Sequence, residues 1–176
     1  MIRVSRVVGP AALLVVAFAA LLAGLAYGGG ATAPLAIDPG ELVLYGLPIA
    51  NLLVILSISG LVWSLVLAVF AFSTSEPEYA RALDVASASA AILTVSAAAT
   101  TFFNMQTVDP EPVTFDSAFG ATLWTFLTGN ALGQAWLWTT VMGALLTVVF
   151  YLVRNQVVVL FFTIVTLGLA SHLPKH

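Results

Sequence analysis

The chain has no cysteine, few charges and no ionisable residue near the middle of any long apolar run. Without cysteine there can be no disulfides, no thiolate metal sites and no catalytic thiols. Charged residues fill 7% of the 176 positions, against roughly 25% in an ordinary soluble domain. So few charges cannot cover a water-facing surface. The five basic residues are scattered, so the clustered Lys and Arg footprint of a nucleic-acid binder is missing. Also missing are a Gly-rich phosphate loop, an HExxH helix and a nucleophile with a base at motif spacing. Intramembrane charges, which mark proton relays and ion pumps, are lacking too. The expectation is a protein that is neither an enzyme nor, alone, a pump.

What is present is apolar: 61% of residues are hydrophobic and the mean hydropathy is +1.08. Only helices and closed barrels pair every backbone N–H and C=O inside lipid. The apolar runs here far exceed the alternating segments of about 10 residues in a barrel, so they are helices. About 20 apolar residues cross the hydrocarbon core, and five runs qualify, at about 7–27, 42–72, 80–106, 131–153 and 157–173. The second would be about 46 Å long and must tilt, bend near Pro48 or project from the bilayer. The expected fold is all-α: a single domain over 1–176, an integral membrane bundle of five transmembrane helices plus one interfacial amphipathic helix.

That interfacial helix is predicted at about 115–128. Phe115, Phe119, Leu123, Phe126 and Leu127 recur at helical spacing, with Asp116, Ser117, Thr122 and Thr125 opposite. Thr114 is the expected N-cap and Gly129 the expected stop. The competing expectation makes this segment an outer extension of the fourth span.

Orientation follows from the basic residues, because short cytoplasmic loops collect Lys and Arg. Arg3 and Arg6, Arg81, and Arg154 alternate onto one side, while the opposite linkers hold Asp38, Glu41, Asp109, Glu111 and Asp116. The N-terminus is therefore expected in the cytoplasm and the C-terminus outside, in the cytoplasmic membrane of a bacterium. "ATA" at 31–33 resembles a signal cleavage site. The apolar stretch before it exceeds the 7–15 residues of a signal core, so a retained helix is expected.

Polar residues within the spans are mild, mostly Ser and Thr, and the third span is rich in small residues. Such residues let membrane helices approach closely. Ala86, Ala90, Thr94 and Ala98 form a four-residue stripe that predicts a central place for this span. Gly24 and Gly28 match a small-xxx-small dimer motif, and Trp124, Trp136 and Trp138 suit an outer aromatic belt. Possible metal ligands are His172, His176 and Met105, with Met142 inside the fourth span. His172 and His176 have i,i+4 spacing, but Pro174 disfavours a helical Leu173 and opposes the Ala170 carbonyl. A preformed two-histidine clamp is therefore not expected. Imidazole with thioether suits copper, and the alternative is an interfacial tail with no ligand.

Several segments together carry a resemblance: "VVGPAALLVVAFAALLAGLAYGGG", "ALDVASASAAILTVSAAATTFF", "FDSAFG" and "LTGNALGQAWLWT". In this order they resemble the amino-terminal membrane region of actinobacterial copper-resistance D (CopD) proteins fused to a cytochrome c oxidase assembly domain. The resemblance covers about 1–170. It implies copper uptake or delivery at the cytoplasmic membrane, feeding oxidase assembly, with copper as cofactor or cargo. It matches His172 to a histidine that commonly follows the fifth span. "LPKH" at the end matches nothing in the family, and the tail reads as a cut in a longer architecture. The competing expectation is a helical scaffold or assembly subunit that docks to other membrane proteins and binds no metal.

Overall fold

A computed structural model describes residues 5–27, 40–70, 77–108, 116–152, 158 and 160–165. These residues form helices and, among them, no strand. The elements are α1 (Ser5–Tyr27), α2 (Glu41–Phe70), α3 (Pro77–Val108), α4 (Ser117–Gly129) and α5 (Ala131–Leu152). Residues 160–165 are also helical, and Phe162 stacks edge-on against Phe150 of α5 with ring centroids 6.3 Å apart. The rest of the predicted fifth span lies outside the described residues.

The ends of these helices follow local chemistry. Gly40 adopts a positive φ of 84°, and its carbonyl accepts from the Val43 and Leu44 amides to start α2. Glu41 then sits in the first turn, where a negative charge suits the helix dipole. Pro77 opens α3 at the position where a missing N–H costs nothing. The N-cap of α4 is Asp116, whose carboxylate accepts from the Phe119 amide at 2.9 Å. Thr114, the expected cap, lies outside the described residues. A carboxylate cap outranks threonine, and the helix starts accordingly at Ser117.

α2, α3 and α5 are each long and apolar enough to cross a membrane. α2 is continuous through Pro48 and carries one charge, Glu41, while α5 carries none. The charges of α3 are confined to Glu78, Arg81 and Asp84, all near its first turns. The outward faces are as apolar as the interior: Trp63, Val95, Val148 and Tyr151 are all more than half exposed. A water-soluble bundle shows such patches only at binding sites. Here exposed apolar side chains are spread over α2, α3 and α5, as suits contact with lipid.

α3 is the central helix, forming the two largest interfaces, with α2 on one side and α5 on the other. The core runs through Leu61, Leu65, Leu83, Ala86, Ala90, Leu93, Ala97, Leu146 and Phe150. The expected small-residue stripe is correct at Ala86 and Ala90 but not at its end. Ala98 is exposed, and Ala97 takes the buried place. A strict four-residue step drifts off a face that turns once per 3.6 residues.

The α2–α3 pair is antiparallel with a constant register. A Cβ at Gly60 would stand 2.9 Å from Ser89 Oγ, and one at Gly46 would stand 2.5 Å from the Phe103 ring. Gly60 to Gly46 and Ser89 to Phe103 are the same fourteen-residue step taken in opposite directions. Close approach, not conformational freedom, explains both glycines.

Candidate functional site

Chemistry-bearing residues gather where α3 ends, α4 lies across it and α5 begins. Asn130 is the whole connection between the two later helices. Its backbone N–H closes α4 on the Phe126 carbonyl, and its side-chain oxygen accepts from the Leu132 amide at 2.9 Å to open α5. Its backbone is extended, which breaks the helix. Gly133 is packed directly against the Phe126 carbonyl, although seven residues of straight helix would separate them by about 10 Å. The chain therefore turns sharply at Asn130. α4 is a separate helix and not an extension of the fourth span.

Gln134 reinforces the turn by donating from Nε2 to the Thr128 carbonyl at 2.5 Å. Phe119 of α4 meets Phe102 of α3 at 6.4 Å between centroids. Phe126 is buried, Phe119, Leu123 and Leu127 are half-buried, and Ser117, Trp124 and Thr125 are exposed. The expected division holds for Phe119, Leu123, Phe126 and Leu127 on the bundle side and for Ser117 and Thr125 outside, but Thr122 is half-buried against the bundle, and Phe115 lies outside the described residues.

Between the end of α3 and α4 lies a cavity of about 520 Å³. Met105 and Val108 form one wall, Thr122, Thr125 and Phe126 another, and Gly129 with Asn130 the floor. Met105 is 1% exposed, so its thioether belongs to the cavity wall and not to the surface. The Thr125 hydroxyl already donates to the Ala121 carbonyl at 2.9 Å.

Of the three residues expected to hold a metal, Met105 alone is described. His172 and His176 lie outside the described residues. Met142 is half-buried within α5, some distance along the helix from the corner. Among the described residues no three His, Cys, Asp or Glu side chains converge on a metal position. The corner supplies one soft sulfur, and its neighbours Thr122, Thr125 and Asn130 offer oxygen donors that suit harder cations. By themselves these residues do not fit copper.

The spans hold little other polar chemistry. Ser59, Ser64, Thr94, Ser96, Thr100, Thr101, Thr139, Thr140 and Thr147 each donate to a carbonyl four residues earlier on their own helix. Ser57 does the same to Leu53. Ser87 differs, bonding across to the Thr147 carbonyl of α5 at 3.1 Å. Apart from Ser87, these hydroxyls spend their donors within their own helices.

Two features escaped the sequence. Gly133 and Gly143 seat α5 against its neighbours, a role that only the frequency of small residues in the spans hinted at. Trp136 belongs to the core at 4% exposure, while Trp124 and Trp138 face outward at 67% and 62%. The indole N–H of Trp136 and the hydroxyl of Tyr79 are buried with no hydrogen-bond acceptor or donor opposite them among the described residues.

Fold and corner together define a helical membrane-type bundle with a buried thioether beneath an amphipathic cap. Comparison with family models, characterised proteins and solved structures finds no match to this chain.

Proposed function

We propose that the chain is a multi-pass module of the bacterial cytoplasmic membrane that serves copper handling, with its N-terminus in the cytoplasm and its C-terminus outside. In this reading the runs at 7–27 and 157–173 complete a set of five spans. The observation that carries it is Met105, a buried thioether beside a cavity at the α3–α4 corner. A span at 157–173 running back along α5 would return His172 and His176 to that same end. Two imidazoles and a thioether form a ligand set that the described residues alone do not supply.

The module holds or hands over the ion at the outer surface. It does not conduct the ion between α2, α3 and α5, because that interior is filled by Leu, Ala and self-bonded hydroxyls. The resemblance to copper-resistance D proteins supports the same role.

The full chain, purified in mild detergent after exposure to cuprous ion, is expected to retain about one copper. Met105→Leu conserves volume, a swap that costs less than about 1.5 kcal/mol in stability, so the fold survives. Its copper affinity is expected to fall at least by the 10–100-fold that loss of an outer-shell partner alone causes. A metal-free chain that co-purifies with a stoichiometric membrane partner would instead establish the scaffold reading. That second reading draws on the absence of a complete donor set among the described residues.

A further inference from the structure

At the end of α3 away from the corner, the seam between α2 and α3 opens into a groove of about 470 Å³. Its floor is Gly60, its walls are Trp63, Leu67 and Val85, and at its mouth stand Glu78 and Arg81. Gly60 lines it from α2, at a point where α3 comes close enough that a Cβ would stand 2.9 Å from Ser89 Oγ. We propose that it holds one phospholipid with a zwitterionic amine headgroup. The acyl chain lies in the groove, the phosphate sits on Arg81 and the ammonium on Glu78. This assignment rests on α2 and α3 crossing a bilayer and is independent of copper.

The level of each group fits. Arg81 lies four residues into α3, about 6 Å from its start. Trp63 lies seven residues before the end of α2, about 10 Å in. With the two helices antiparallel, the charged pair stands nearer the membrane boundary and the tryptophan and valine deeper. Trp63 is 67% exposed and Val85 53%, so both present apolar wall to an occupant from the lipid phase.

Charge selects the headgroup. Arg81 and Glu78 are 3.5 Å apart and both exposed. Such a pair contributes little to stability and opens readily around a ligand that carries the same two charges in reverse. Asp84, one helical step beyond Arg81, is exposed as well. Two carboxylates beside one guanidinium disfavour a purely anionic headgroup. A primary ammonium can donate to Glu78, whereas a quaternary ammonium has no N–H to give.

Native mass spectrometry of the detergent-purified full chain tests this with phosphatidylethanolamine, phosphatidylcholine and phosphatidylglycerol of matched acyl chains. One phosphatidylethanolamine per chain is expected, held about fivefold more tightly than either rival, the scale of one exposed charge pair. Glu78→Gln should abolish the preference over phosphatidylglycerol. Arg81→Ala should weaken all three lipids, and Val85→Trp should fill the groove and displace the lipid while both charges remain. Equal retention of the three lipids, indifference to Arg81→Ala, or a dimer of the chain in place of a lipid adduct would each overturn the assignment.

Discussion

Replacing Gly133 with valine is expected to destabilise the protein by about 3 kcal/mol, the upper end of ordinary overpacking costs. The reason is what a side chain would meet. A Cβ at this position falls on the backbone carbonyl of Phe126, with the carbonyl carbon at 2.9 Å. A flexible side chain can swing aside, but a carbonyl inside a helix cannot move without breaking the turn at Asn130. Alanine should already be costly, and valine adds branches to the same collision. A Gly120→Ala control separates this from a general effect of glycine replacement. Gly120 has nothing within 4 Å of its Cβ position, and removing a helical glycine there is expected to gain about 0.8–1.0 kcal/mol in α4. Reversible unfolding in mixed micelles reads both values. Equal, small effects at the two sites would contradict the sharp α4–α5 turn.

The second large effect is expected at Gly143, where α5 meets the centre of α3. A Cβ there would stand 2.8 Å from Thr94 Oγ1, 3.3 Å from the Thr94 amide nitrogen and 3.4 Å from its Cα. Gly143→Leu should push the helices apart and cost about 3 kcal/mol. No transfer from water offsets the lost contact, because helix association in lipid depends on packing. Gly143→Ala is the informative variant. Its tightest clash is with a hydroxyl, so the Thr94→Ala background should relieve part of the cost but not all, since the backbone contacts stay. A coupling of about 0.5–3 kcal/mol is the expected signature of residues in direct contact. Strict additivity of the two substitutions would show that α3 and α5 do not touch there.

These glycines also mark the boundary of what the sequence makes legible. Helical class and the spans of α2, α3 and α5 follow from apolar runs too long for barrel strands, which satisfy their backbone in lipid as helices. The central place of α3 follows from its small residues, and the separate α4 from its apolar spacing, although the helix stops at the extended Asn130 and not at Gly129, which remains helical. Finer placement fails where two neighbouring residues are chemically alike. Ala97 and Ala98 differ only in the direction they face, and so do Trp136 and Trp138. Asp116 displaced Thr114 as cap because a carboxylate is the stronger acceptor for a free amide. Met105 was identifiable as a sulfur near a helix end. That it lines a cavity depends on α4 folding back over it, which no local pattern encodes.

The absence of native cysteine makes the decisive measurement direct. Single cysteines placed at Glu78, at the start of α3, and at Asp116, just before α4, are both at exposed positions. A membrane-impermeant maleimide applied to intact cells should label the Asp116→Cys chain at once. It should reach the Glu78→Cys chain only after the membrane is permeabilised. Labelling of both cysteines from the same side would mean that α3 does not cross the bilayer.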